Sequence, residues 1–207
     1  GRYQAQWNDD YHHAAHVLLT GEDAGYYGDY ADAPMRRFAR ALTEGFVYQG
    51  EASAFRSGAA RGEPSRHLPP TAFVDFLQNH DQIGNRAFGE RLTVLADPQA
   101  VKAMQAITLL APAVPMLFMG EEAGARSPFY YFCDFSGALA EAVREGRRRE
   151  FQGFAAFADP ERREEIPDPN LDSTFEASRL DWDRLASEGI GWIDDTRHLL
   201  LLRRNLI

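Results

Sequence analysis

One stretch of the sequence decides the fold: Phe73-Val74-Asp75-Phe76-Leu77-Gln78-Asn79-His80-Asp81-Gln82-Ile83-Gly84-Asn85-Arg86. Its first half is mostly apolar, and its second half is a cluster of polar side chains. Strands buried in parallel sheets are apolar along their length, and the residues that follow them face a cleft. The stretch therefore predicts a buried strand over Ala72 to Gln78, after which Asp81 faces a cleft beside His80.

Two other segments show a short predicted strand followed by polar residues. The first predicts a strand over Tyr3 to Trp7, and Asn8-Asp9-Asp10 then caps a helix from about Tyr11 to Thr20. The second predicts a strand over Val114 to Met119, which closes at Gly120-Glu121-Glu122. Both segments thus place polar groups where a strand ends.

Helical patterns separate these strands. Pro34 opens a helix, and Asp97-Pro98 starts another; Gly25 to Asp32 and Ser53 to Pro70 are expected as loops. The apolar stripes of the two helices are expected to comprise Met35, Phe38, Ala39, Leu42 and Phe46 in the first, and Val101, Met104, Ile107, Leu110 and Ala111 in the second.

A long excursion fills Ala123 to Gly191, with one helix expected near Gly137 to Gln152 and a last helix starting near Asp194. Strands that alternate with helices indicate an α/β protein with a parallel sheet. Three strands do not close a barrel of eight.

Composition excludes several classes of function. The 207 residues carry a formal net charge of −9, which argues against binding nucleic acid through clustered positive charge. No apolar run is long enough to span a membrane, so no membrane partner is expected. The single cysteine, Cys133, excludes an internal disulfide and favours a cytoplasmic location.

No cofactor and no metal are expected. His12 and His16 lie four residues apart, as metal ligands on one helix can, but no His-Glu-x-x-His pattern accompanies them. No spaced set of oxygen ligands like a calcium-binding loop is present. His12 and His13 are equally compatible with the rim of a cleft and with packing.

Phe76-Leu77-Gln78-Asn79-His80-Asp81 resembles the seventh-strand signature of the α-amylase superfamily of retaining glycoside hydrolases. The wider run to Arg86 is similar to the maltooligosyltrehalose trehalohydrolases within that superfamily. Gln6 to His13 resembles their sixth strand and turn, and Pro115 to Glu122 with Phe129 to Phe135 resembles their eighth strand and loop. The resemblance implies a partial (β/α)8 TIM barrel: strands six to eight, their helices and a long loop, within one catalytic domain over residues 1–207.

The resemblance also implies the site. Asp81 matches the carboxylate that stabilises the transition state, while the substrate is maltooligosyl trehalose or a related α-glucan. Sugar-binding residues implied by the same matches are His80, Gln82, Ile83, Gly84, Asn85, Trp7, Asn8, Asp9, Asp10, Tyr11, His12, His13, Glu121 and Glu122.

A retaining glycosidase also needs a nucleophile and an acid, two carboxyl groups about 5 to 5.5 Å apart. In the family these follow the fourth and fifth strands, and no matching segment is found here. The chain is therefore expected to be an inactive fragment of the enzyme. Two alternatives stay open: another member of the superfamily, such as a branching enzyme or an amylase, and a non-catalytic carbohydrate-binding module.

Overall fold

The computed structural model describes residues 3–153 and 157–206. Gly1, Arg2 and Ile207, the ends of the expected domain, lie outside the described residues. No helix in the part of the chain that is described is both long enough and apolar enough to cross a membrane.

Three short strands form one parallel sheet in the order β1-β2-β3. Strand β1 is Gln6–Trp7, β2 is Phe73–Asp75 and β3 is Val114–Pro115. In the register, Trp7 lies opposite Val74, and Asp75 lies opposite Pro115. The predicted parallel arrangement of consecutive strands is confirmed.

The strands are shorter than predicted. The expected strands over Ala72 to Gln78 and Val114 to Met119 contract to three and two residues, and the strand expected from Tyr3 begins at Gln6. A strand lasts only while its neighbour runs alongside to share backbone hydrogen bonds. Residues 76–79 therefore form an irregular connection between β2 and the next helix.

Three helices connect β1 to β2: α1 at Asp9–Thr20, α2 at Gly28–Ala31 and α3 at Pro34–Glu44. The Asn8 side chain accepts from Tyr11 N and caps α1. Gly21 ends α1 with φ at 73°, a left-handed conformation that glycine adopts without strain. Because Gly25–Tyr27 forms a 3₁₀ turn that leads into α2, the predicted loop there is wrong.

Three helices also connect β2 to β3: α4 at His80–Gly84, α5 at Leu92–Leu95 and α6 at Pro98–Leu110. Asp97 accepts from Gln99 N and Ala100 N, so the predicted start of α6 is confirmed. The buried stripe of α6 differs from the prediction, since Ile107 is exposed while Gln105 and Thr108 are buried. Likewise Met35 and Ala39 on α3 are exposed.

The excursion after β3 holds more helix than expected. It contains α7 at Gly137–Glu150, α8 at Pro160–Glu164, α9 at Asp172–Ser178 and α10 at Trp182–Glu188. The last helix, α11 at Ile190–Leu206, packs on α6 and begins earlier than predicted. Gln105 is buried there because it accepts from Trp192 Nε1 at 2.8 Å and donates to Thr196 Oγ1 at 3.2 Å.

The main apolar core lies around α1. It joins the buried faces of α1, α3 and α6 with Leu77 and Leu92, which flank α4. A smaller cluster of Ala87, Phe151 and Ile166 lies between the segment after α4 and the excursion. The segments before and after the helix that carries Asp81 thus belong to apolar clusters.

Candidate functional site

Asp81 lies in the first turn of α4 with its side chain exposed. Asn79 caps the helix, because its Oδ1 accepts from Asp81 N at 2.8 Å and from Gln82 N at 3.4 Å. Gln82 Oε1 accepts from Asn79 N at 3.0 Å and completes a capping box. Asn79 and Gln82 therefore form the cap, and the Asp81 side chain takes no part in it. The Asp81 side chain is 67% exposed.

His80 and Trp7 lie beside Asp81. His80 Nε2 is 3.4 Å from Asp81 Oδ1, and the His80 side chain is 55% exposed. The Trp7 ring, 43% exposed, meets the His80 ring edge to face at 6.0 Å. The end of β1 and the start of α4 therefore present their side chains together.

Asp9 completes this group through a hydrogen bond from Gln82 Nε2 to Asp9 Oδ1 at 3.4 Å. Burial raises the pKa of Asp9, and the charges of Asp10 and Asp81 raise it further, against the opposing effect of Arg61. We name Trp7, Asp9, His80, Asp81 and Gln82 the Asp81 cluster. Its carboxylates accept hydrogen bonds from hydroxyl groups, its amide and imidazole donate them, and its indole offers a flat apolar face.

An open groove of about 760 Å³ adjoins the cluster and includes Trp7, Asp9 and Arg61 in its lining. The Arg61 guanidinium lies 4.9 Å from the centre of the Tyr48 ring and donates to Asp10 Oδ1 at 2.7 Å. Arg61 belongs to a segment expected to be a surface loop, so the sequence analysis missed it. No local pattern marks this arginine, because its partner lies 51 residues away.

Asn8 and Asp10 were expected to bind sugar, but their polar atoms are occupied inside the protein. Asn8 Nδ2 donates to Gly45 O at 2.9 Å and to Asp75 Oδ1 at 2.8 Å. Asp10 Oδ2 accepts from Val47 N and Tyr48 N at 2.8 and 2.9 Å. Both residues are buried, and we therefore assign them to anchoring the segment after α3.

Tyr11, His12 and His13 also point inward. The Tyr11 hydroxyl bonds the Thr108 hydroxyl at 2.8 Å, and His12 contacts Leu77 O and the Tyr27 hydroxyl. Burial lowers the pKa of His12 well below its ordinary value, and it lowers that of His13 to about 3. These residues pack as neutral groups, so the packing alternative describes both histidines, and Tyr11 is a core residue.

Of the remaining residues expected on α4, only Asn85 is exposed. Ile83 and Gly84 are buried, and Gly84 O accepts from Arg147 Nη2 at 2.5 Å. Ile83 and Gly84 therefore pack inside the protein, although the sequence analysis expected them to contact sugar. Asn85 ends α4, where its backbone N–H donates to Asp81 O at 2.9 Å.

Glu121 and Glu122 lie in a 3₁₀ turn, Glu121–Ala123, after β3. Glu121 is buried and accepts from Phe118 N at 3.0 Å, and burial raises its pKa to about 8. This burial removes Glu121 from any surface cleft, contrary to the expected sugar contact. Glu122 is partly exposed, and its backbone carbonyl accepts from Thr196 Oγ1 at 3.1 Å.

The buried ionic groups that the sequence analysis missed include Arg91 and Asp75. Arg91 is fully buried and donates to Ser127 O at 2.7 Å and Met119 O at 2.9 Å. Asp75 is buried on β2, and burial raises its pKa to about 6 against the lowering effect of the Asn8 hydrogen bond. Within the described residues, no group of three or more histidine, cysteine, aspartate or glutamate side chains is arranged to hold a metal ion.

Curated relatives share one name. The chain is 44% identical over 179 residues to malto-oligosyltrehalose trehalohydrolase of Saccharolobus solfataricus. The aligned region covers 86% of this chain and 29% of that protein. Identity to the enzymes of the same name from Deinococcus radiodurans and Rhizobium sp. is 41% and 40%, over 96% and 97% of the chain. The chain belongs to the maltooligosyltrehalose trehalohydrolase family.

The chain spans about a third of the length of these trehalohydrolases. A similar solved structure, from Salmonella typhimurium and described as a candidate alpha amylase, superposes with a TM-score of 0.92 at 52% identity. It covers 99% of this chain, which corresponds to 34% of the solved one. No protein-family model matches the sequence.

Proposed function

We propose that the protein containing this chain hydrolyses the α-1,4-glucosidic bond next to the terminal trehalose of maltooligosyl trehalose and releases trehalose. The shared name of relatives that are 38–44% identical supports this substrate. The exposed Asp81 cluster supports the sugar-binding part of this proposal, since carboxylates next to an indole and an imidazole suit a sugar and its hydroxyls.

In this proposal β1, β2 and β3 are strands six, seven and eight of a (β/α)8 barrel in one catalytic domain. The parallel order β1-β2-β3 supports the assignment, because consecutive strands are neighbours in such a barrel. The match to the Salmonella typhimurium structure over nearly the whole chain supports it further.

Asp81 is the proposed transition-state stabiliser. Retaining glycosidases pass through a transition state with positive charge on the sugar ring, after which a covalent intermediate forms on a second carboxylate. An Asp81 carboxylate that accepts hydrogen bonds from the hydroxyls of the cleaved sugar favours the distorted sugar ring of this transition state. The observation that carries the proposal is the high exposure of the Asp81 side chain beside Trp7 and His80.

The test uses the complete protein encoded by the full reading frame, supplied with maltooligosyl trehalose. Free trehalose plus a shortened maltooligosaccharide is the expected product pair. A new α-1,6 branch would instead identify a branching enzyme. Release of maltose from plain maltooligosaccharide would identify an amylase, which is the activity that the name of the solved relative favours.

The isolated 207-residue chain provides a second arm of this test. We expect it to release no trehalose, because the nucleophile and the acid are proposed to lie outside it. Appreciable trehalose release by the purified chain would contradict the assignment of the missing carboxylates.

A further inference from the structure

The helix that carries Asp81 is held at its opposite end by an arginine from the excursion. Helix α4 ends at Gly84, and the last carbonyls of a helix lack partners within it. Arg147 Nη2 on α7 donates to Gly84 O at 2.5 Å and to Arg86 O at 2.8 Å. One guanidinium thus joins α7 to the end of α4.

Arg147 is the only buried side chain on α7, all of whose residues are described. It is 8% exposed, whereas Leu139 on the same helix is exposed. Helices usually dock through an apolar stripe, so α7 is unusual in docking through a cation. An arginine at this position points to a requirement for directed hydrogen bonds rather than for apolar contact.

The surroundings of Arg147 offset part of the cost of burying its charge, although burial still lowers the pKa of the guanidinium. The guanidinium lies 4.8 Å from the centre of the Phe151 ring and 5.5 Å from that of Tyr131. Glu150 Oε2 accepts from Nη1 at 3.3 Å. A planar fork with five donors bonds two carbonyls and stacks on rings at once, which a lysine ammonium does not do.

A second contact holds the segment that follows α4. Phe129 N donates to Gly89 O at 2.9 Å, and a Cβ on Gly89 would stand 2.5 Å from Phe129 O. The Phe129 ring also lies against Gly84, where an added Cβ would be 3.9 Å away. The excursion therefore meets the end of α4 with both backbone and side chains.

We propose that Arg147 is a positioning residue, which fixes α4 so that the Asp81 carboxylate keeps its place in the Asp81 cluster, and that the excursion braces this helix. The inference rests on the proposed function of Asp81. A five-residue helix does not hold its own geometry in water. A displacement of about 1 Å in a catalytic group costs roughly a hundredfold in rate.

The test is a double-mutant cycle in the complete protein, assayed as trehalose release at enzyme concentrations that quantify residual turnover. Arg147→Met should lower kcat by about 10- to 100-fold and change KM by less than about threefold. In the Asp81→Asn background the same change should lower kcat by less than about twofold, because the group that it positions is already lost. An equal fall in both backgrounds overturns the proposal.

Two variants on α7 complete the test. Arg144→Met removes a partly exposed arginine of the same helix, which pairs with Asp168 and does not contact α4, and it should leave kcat within about twofold. Arg147→Lys keeps the cation, so its kcat should lie between those of the parent and the methionine variant. If Arg147→Met does not fold, the cycle with Arg147→Lys decides, and additive losses there overturn the positioning role.

The outcomes separate this inference from the proposed function. Near-parental turnover by Asp81→Asn removes the proposed role of Asp81. A large loss in Asp81→Asn with parental turnover in Arg147→Met overturns the positioning role alone.

Discussion

The turns after β1 and after β2 begin alike and use their polar side chains in opposite ways. Each starts with an asparagine that caps a helix: Asn8 caps α1, and Asn79 caps α4. After β2, a hydrogen bond from Asn79 N to Gln82 Oε1 completes the cap. The Asp81 side chain takes no part in the cap and is exposed to solvent. After β1, Asn8 also bonds Asp75, and the second acid of the turn is buried.

The difference comes from what packs over each turn. The segment after α3 passes over the β1 turn, where Gly45 O accepts from Asn8 and two backbone N–H groups donate to Asp10. Within the described residues, no ionic contact to the Asp81 carboxylate other than that of His80 is present. Identical residue types thus become an anchor in one turn and a candidate reactive group in the other.

The largest expected effect is on Asp81. Asp81→Asn in the complete protein should lower kcat by about 10²- to 10³-fold, because a preorganised charge at the reacting sugar is removed. The melting temperature should stay nearly unchanged, since the side chain is exposed. Steady-state kinetics and calorimetry measure both quantities, with Asp183→Asn as an exposed control on α10 that should retain parental kcat. A large loss of stability in Asp81→Asn would mean that the residue is an anchor after all.

Asp10 should show the reverse behaviour. Asp10→Asn places an amide among the donors Val47 N, Tyr48 N and Arg61, so the free energy of unfolding should fall by about 3 kcal/mol. Below the melting temperature, kcat should stay within a few-fold of the parent. Chemical denaturation of the complete protein measures the change. An unaltered unfolding midpoint would contradict the assignment of Asp10 as an anchor and remove the difference between the two turns.

The turn after β3 offers a third case through Glu121. Its folded pKa of about 8 exceeds the ordinary 4.5, so its protonated form favours the folded state. The stability that it contributes is present below about pH 4.5 and is lost as the pH rises through about 8, by up to about 1.4 kcal/mol per pH unit. Glu121→Gln should flatten this dependence, whereas Glu122→Gln should retain it. A parent and a Glu121→Gln variant that lose stability in parallel from pH 5 to 8.5 would refute the assignment.

The smallest effect is expected at Asp9, the exposed neighbour of Asp10. The folded pKa of Asp9 is raised by burial and by Asp10, so its ionised form costs some stability at neutral pH. Because the Asp9 side chain is exposed, solvent screens most of this cost, and Asp9→Asn should raise the free energy of unfolding by less than about 0.5 kcal/mol. Denaturation at pH 7 beside Asp10→Asn tests this, and a loss as large as that of Asp10→Asn would show that both acids are anchors.

Much of the fold follows from local patterns in the sequence. Residues within a few positions of one another determine where the strands lie along the chain, the caps at Asn8 and Asp97, and the stop at Gly21. The short lengths of the strands and the buried Gln105 are not determined in this way, because they depend on neighbours brought from far along the chain.

The candidate site divides in the same way. The sequence by itself determined the polar residues at the strand ends, the resemblance to the trehalohydrolases and the position of Asp81. Only the tertiary structure decided that Asp81 is open to solvent while Asn8, Asp10 and Glu121 are sealed, and that Arg147 holds α4. The physical reason is that capping and periodicity act between near neighbours in the chain, whereas burial and long-range hydrogen bonds depend on which distant segments pack together.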